Sequence, residues 1–201
     1  MKMYFSRFAI TLAAITSLVI LGACSSAAEP VVYNADYPAY ESADKLYERA
    51  TLVVEGTVTA SPARVQELKP EAGSDDPKLN PSAGVAPENG IQAEESGVVV
   101  SVYQIQVTKV FKGAATPGQA VDVQQLGGTL NGVTYKEEDA QALKQNSGYV
   151  FFLETYPNAP AALLNPQQGQ YPLDAAGNPT KLAGNPIAVT REDLKRLSGK
   201  D

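Results

Sequence analysis

The chain has 201 residues, with 22 acidic against 16 basic side chains, one cysteine and no histidine. A net charge of −6 with no basic stripe opposes contact with phosphate backbones, so no nucleic-acid partner is expected. The missing histidine excludes Ser-His-Asp and Cys-His nucleophiles and histidine metal sites, and a single cysteine admits no intramolecular disulfide.

Residues 1–8 carry Lys2 and Arg7 and no acid, and residues 9–21 are apolar apart from Thr11, Thr16 and Ser17. A charged start, a short apolar run and small residues after it make an export signal. The run is shorter than the roughly 20 residues that a helix needs to cross a bilayer core. Leu21-Gly22-Ala23-Cys24 closes this segment. The arrangement resembles the lipobox of bacterial lipoproteins, Leu-(Ala/Ser)-(Gly/Ala)-Cys, and departs from it only at Gly22. The resemblance implies that residues 1–23 are removed and that the Cys24 thiol carries a diacylglyceryl group. Two acyl chains anchor stably where one binds only marginally. The expected location is the extracytoplasmic face of the cell membrane, or the outer membrane where the organism has one. Removing 23 residues from 201 leaves 178, enough for one domain, with 14 basic and 22 acidic residues and a net charge of −8.

Residues 24–41 read as the lipid-anchored tether, and 42–198 as the domain. Tyr33, Tyr37, Tyr40 and Tyr47 are spaced by four, three and seven, as core packing or as a surface patch for a partner. Ser42 is placed to cap a helix over residues 42–50, with Ala43, Leu46, Tyr47 and Ala50 on one face. A strand is predicted over residues 52–59, where Leu52, Val54 and Val58 point to one side. Residues 60–97 follow with five prolines, four glycines, seven acids, three bases and no aromatic side chain. Such a stretch lacks the apolar surface to order itself, and a disordered insertion is predicted.

A strand over residues 98–111 is expected to turn Val99, Tyr103, Ile105, Val107 and Phe111 to one side. Its length implies a bend, as in a small barrel. Another strand is predicted over 120–126, then a bulge or corner at Gly127-Gly128 and a hairpin turn at Asn131-Gly132. Residues 136–145, rich in Ala, Gln, Glu and Lys, read as a helix. Tyr149-Val150-Phe151-Phe152-Leu153 reads as a strand buried on both faces. Short strands are expected at 162–164, 169–173 and 187–189, then a helix over 191–197 with Thr190 and Asp193 as its capping box. The predicted fold is mainly β, a partly open five- or six-stranded barrel with short flanking helices.

Three stretches carry a further likeness: Leu52 to Val58, Tyr103 to Gly113, and Gly148 to Leu153. Their "V-x-G-x-V … V-x-K-V-x-K-G … Y-x-x-F-L" rhythm resembles the barrel of netrin and tissue-inhibitor-of-metalloproteinase modules, which are OB-folds. It is also similar to a group of uncharacterised secreted bacterial proteins. The resemblance covers about residues 42–175 and implies an OB-like barrel. In the inhibitors, a free N-terminal cysteine chelates the target's zinc and disulfides brace that edge. Here the disulfides are missing and Cys24 is expected to be lipidated, so that route to inhibition is closed.

Ser42-Ala43-Asp44-Lys45 matches S-x-x-K, but no S-D-N or K-T-G follows, and Ser42 reads as a helix cap. Glu137-Glu138-Asp139 falls at the start of a predicted helix, where negative charge complements the macrodipole. Asp75-Asp76 and the Asp174 to Asn178 turn lack the spacing of a calcium loop. No catalytic, metal-binding or cofactor-binding residue is therefore assigned, and Cys24 is the single site residue. The expected function is a non-enzymatic module that binds an envelope protein or a glycan. A small carboxylate-dependent hydrolase is the alternative, and it needs two acids facing one cleft, one with a raised pKa. Cys24→Ala should abolish labelling of the protein by a fatty-acid analogue; labelling that survives this substitution refutes lipidation there.

Overall fold

A computed structural model describes residues 29–68, 97–138 and 140–199. Cys24 and the segment 69–96 lie outside them. Among the described residues no helix is long and apolar enough to cross a membrane.

The fold is mainly β and is organised around a ring-like sheet. Strands β2 (Leu52–Leu68), β3 (Val98–Lys112), β4 (Ala120–Leu126), β8 (Ala159–Leu163), β7 (Gly148–Tyr156) and β9 (Gln170–Pro172) are hydrogen-bonded in that order. β2 also pairs with β7, from Leu52 opposite Leu153 to Thr57 opposite Gly148, which closes a circuit of five strands. All contacts around the ring are antiparallel except β4 with β8, which run parallel. A second, three-stranded sheet joins β1 (Val31–Tyr33), β6 (Val133–Glu137) and β5 (Gly128–Leu130).

Alternation along the strands divides the apolar side chains into two cores. One holds Leu52, Val54 and Val58 of β2, Tyr103, Ile105 and Val107 of β3, Val123 of β4, and Phe151 and Leu153 of β7. The other takes the intervening residues Val53, Val150 and Phe152 and packs them against two helices, α1 (Ala43–Arg49) and α2 (Arg191–Ser198). β7 is thus buried on both faces, as its unbroken apolar run predicts, with Val150 to Leu153 fully enclosed.

The helices form where the sequence places them. Ser42 Oγ accepts from the Lys45 amide at 3.3 Å, and Thr190 and Asp193 complete a capping box. Arg196 grips Asp44 with two bonds of 2.7 and 2.8 Å and ties α2 to α1, and Arg191 pairs with Glu55 to tie α2 to β2. The Asn131-Gly132 hairpin joins β5 to β6, with both residues at positive φ, 51° and 81°.

Several predictions are corrected. β2 does not stop at Thr59. It continues through the start of the expected insertion to Leu68, paired with β3 at Ala60 and, past an irregularity, from Arg64 to Leu68. Phe111 leaves the side expected for it and joins Tyr47 and Phe152 in the helix-covered core. A bulge causes this, since Gly56 pairs with Val107 and Glu55 with Lys109, so the alternation slips by one residue and Val110, opposite Val54, turns toward the enclosed core. Residues 187–189 form no strand, although Ile187 and Val189 are buried. The expected tether contains β1, which lies parallel to β6.

The helix predicted over residues 136–145 does not form. Residues 133–137 are strand, and the following residues run irregularly across the ring, with Leu143 only 2% exposed in the enclosed core. Tertiary partners replace the helical bonds. The Leu143 amide donates to Gln125 Oε1 at 3.3 Å, its carbonyl accepts from Ser61 Oγ at 2.7 Å, and the Lys144 amide donates to the Tyr149 hydroxyl at 3.1 Å. Helix-forming composition is a weak preference that such contacts override.

β2 and β3 approach closely at Gly56. A Cβ there would stand 2.6 Å from Ile105 Cγ2 and 2.8 Å from the Gln106 carbonyl oxygen. Gly56→Ala should lower stability by about 1–3 kcal/mol, read as a drop in denaturation midpoint with the m-value unchanged.

Candidate binding site

Strand pairing fixes what the outer face of the ring presents. Tyr103 pairs with Val123, and both point into the enclosed core. The neighbouring pairs must therefore face the other way: Val100 with Leu126, Val102 with Gln124, and Gln124 in turn with Ala162 of β8. Over this outer face lies an apolar cavity of about 210 Å³, walled by Val98, Val100, Gln124, Leu126 and Ala162, with Tyr37, Glu137 and Pro166 at its rim.

Those rim residues also border a larger polar cleft of about 520 Å³, lined by residues 33–37, Glu137, Glu138 and residues 165–167. Three acids, Asp36, Glu137 and Glu138, line this cleft, and no lysine or arginine does so among the described residues. Tyr37 marks the seam between the two spaces. Its hydroxyl donates to Glu137 Oε2 at 3.3 Å. Burial, then the Glu137 charge, hold its pKa far above that of an ordinary tyrosine, so it remains a neutral donor.

Side-chain amides brace the chain around this site. Gln125 bridges to the Gln141 carbonyl and the Leu143 amide, Gln170 Nε2 donates to the Gln141 and Pro166 carbonyls, and Gln168 exchanges two bonds with the Tyr40 backbone at 2.9 and 3.1 Å. Buried amides are normally satisfied in this way. Gln124 Oε1 is the exception, a buried atom with no hydrogen-bond partner among the described residues.

The residues that sequence reasoning singled out fall elsewhere or serve the fold. Cys24, Asp75, Asp76 and Asp139 lie outside the described residues. Ser42 caps α1, and the Lys45 ammonium meets Glu48 Oε2 at 2.8 Å rather than Ser42. Glu137 and Glu138 follow the sequence of β6 into the cleft instead of opening a helix, and the Glu138 amide donates to the Tyr33 carbonyl. Asp174 accepts from the Ala176 and Asn178 amides at 2.9 and 2.8 Å, and this turn lowers its pKa. Among the described residues no group of three or more acid, cysteine or histidine side chains is arranged to hold a metal ion. A third, open cavity of about 430 Å³ lies beside the β7–β8 turn, where Arg64 and Asp122 pair at 2.9 Å.

Sequence reasoning missed Tyr37, Gln124 and Ala162 as neighbours. The tyrosine spacing drew notice to Tyr37, but nothing local links it to Gln124, 87 positions away. No known protein family, curated protein or solved structure matches the chain.

A buried acceptor without a partner costs about 1–3 kcal/mol. Gln124→Met keeps the side-chain length and removes that acceptor, so it should raise stability by about 1 kcal/mol, measured as a higher denaturation midpoint. An unchanged or lowered midpoint would show that the carbonyl is already satisfied.

Proposed function

We propose that the protein is a lipid-anchored, extracytoplasmic binding module built on an OB-like barrel, which holds its ligand on the outer face of β3 and β4. The observation that carries this reading is the apolar cavity and polar cleft adjoining on that face. Counted in chain order, the ring strands pair as first, second, third, fifth, fourth and back to first. That order supports the OB-like reading, and OB barrels carry ligands on the face of their second and third strands, which here are β3 and β4.

The anchor follows from Leu21-Gly22-Ala23-Cys24. Val31 lies seven positions after Cys24, a stretch that reaches about 25 Å at full extension. Such a tether keeps β1, and the cleft that begins at Tyr33, close to the membrane surface. The partner is then another envelope component, and the acids of the cleft disfavour a nucleic-acid backbone.

Binding is favoured over carboxylate hydrolysis. The apolar cavity that adjoins the acids offers surface on which a ligand packs, which a binding site uses and a water-activating acid pair does not need.

Val98, 40% exposed at the cavity edge, allows the face to be altered without disturbing the core. Intact lipoprotein used as bait on solubilised envelope membranes should retain a partner that Val98→Glu loses, with the melting temperature of the bait unchanged. A partner held equally by both proteins, or none held by either, would sink this reading.

A further inference from the structure

Among the described residues the large hydrophobic side chains left exposed are Val31, Val32, Val98 and Tyr156. Two of these four are consecutive, at the start of β1, and they are the pair nearest in the chain to Cys24. Val31 is 42% exposed and Val32 53%. Successive side chains of a strand point to opposite faces, so exposure of both makes the edge of the strand, rather than one of its faces, the apolar surface.

The topology agrees. β1 ends the sheet order β1-β6-β5, with Val31 opposite Tyr135 and Tyr33 opposite Glu137. The Tyr33 carbonyl accepts from the Glu138 amide, so the backbone groups of Tyr33 and Val31 turn toward β6 and those of Val32, between them, turn outward. The edge is held firmly. Tyr33 and Tyr135 stack with their ring centroids 5.8 Å apart, and the Tyr33 hydroxyl accepts from the Val99 amide at 3.0 Å.

An exposed apolar edge strand is a place of association, and the tether selects what it meets. Val31 lies seven positions after Cys24, about 25 Å at full extension, so it stays within that distance of the bilayer that holds the acyl chains. A tether of this kind gives the edge an effective concentration at the lipid on the order of millimolar, and a contact too weak to hold a free protein then suffices.

We propose that the edge of β1 rests on the lipid surface, with Val31 and Val32 among the headgroups, as a second membrane contact beside the anchor. This rests on the Cys24 anchor of the proposed function, and it adds a fixed orientation to mere proximity. The contact is shallow, because an open sheet edge that entered the hydrocarbon would leave backbone groups unpaired. It is apolar in character and needs no anionic lipid, since the charges along the strand pair, Lys136 opposite Val32 and Glu137 opposite Tyr33, are of opposite sign. Through the bond from Val99 to Tyr33, it turns the Val98 end of β3 toward the bilayer.

The anchored protein supplies the test. The Cys24 thiol is consumed by the diacylglyceryl group, so Val32→Cys introduces the one thiol open to an environment-sensitive fluorophore. The full-length lipoprotein so labelled is reconstituted in phosphatidylcholine vesicles, with a parallel set brominated near the headgroup end of the acyl chains as a short-range quencher. The control is Ala114→Cys, exposed beyond the opposite end of the fifteen-residue β3 from Val98. The probe at position 32 should emit to the blue of the probe at position 114 and lose intensity to the brominated lipid, and added salt should change neither effect. Adding Val31→Glu should abolish the shift and the quenching, with the melting temperature retained.

Emission at position 32 like that at position 114 overturns the proposal. A blue shift without quenching also overturns it, because the edge is then covered by protein, through strand addition by a partner or by a second copy. Quenching that survives Val31→Glu does the same. Fatty-acid labelling of these variants separates the two readings: labelled protein with position 32 in water refutes the lipid contact alone, and unlabelled protein refutes the anchor and the contact with it. The Val98→Glu bait experiment reads the ligand face of β3 and β4 separately.

Discussion

The antiparallel pairing of β2 with β7 is the constraint on which the rest of the structure depends. It closes the circuit β2-β3-β4-β8-β7, and by doing so it removes two open sheet edges that would otherwise present unpaired backbone groups. It also forces Tyr149 to Leu153 into a position with protein on both faces. Alternate residues must then find two separate apolar surroundings, the enclosed core on one side and the two helices on the other. The helices accordingly do not stand apart from the ring. Leu46, Tyr47, Leu194 and Leu197 cover what Val53, Val150 and Phe152 would expose, and the Tyr47 hydroxyl bonds the Phe111 carbonyl at 2.6 Å to hold α1 on the strand pair.

Closure leaves the opposite side of the ring, β3 with β4 and β8, without a helical cover. Its covering comes from chain that is distant in sequence: the residues around Tyr37, the end of β6 and the turn at Pro166. These segments contribute polar backbone, which is why amide side chains gather there. Gln125, Gln168 and Gln170 satisfy carbonyls and amides that no helix or strand pairs. The result is a wall held in place by side-chain hydrogen bonds, next to a face of aliphatic strand residues. An apolar cavity beside an acidic cleft follows from that division.

Much of the fold was legible because it rests on local patterns. Ser42 and the Thr190-Asp193 box sit at positions where only a helix start uses them, Asn131-Gly132 has few uses other than a tight hairpin, and an unbroken run such as Val150 to Leu153 demands burial. The errors share one cause. Residues 140–145 have a helical composition, but Leu143 and Lys144 spend backbone groups on Gln125, Ser61 and Tyr149, and Phe111 changes sides because a bulge resets the alternation. Residues 60–68 read as part of a polar insertion because Pro62, Arg64 and Glu67 break the apolar pattern, yet Ala60 and residues 64–68 pair with β3 and carry the strand on.

The sequence alone determined the features that depend on near neighbours or on composition: the lipobox resemblance of Leu21-Gly22-Ala23-Cys24, the acidic charge, the exclusion of histidine chemistry, the helix caps, and the strands with strong alternation. Tertiary structure alone decided which strand closes the ring, on which face each core lies, and that Tyr37, Gln124, Glu137 and Ala162 meet in one place. The reason is physical. A cap or an alternating strand is recognised within about one turn or a few residues, whereas register, bulges and the meeting of distant loops depend on long-range pairing and packing that local propensity does not encode.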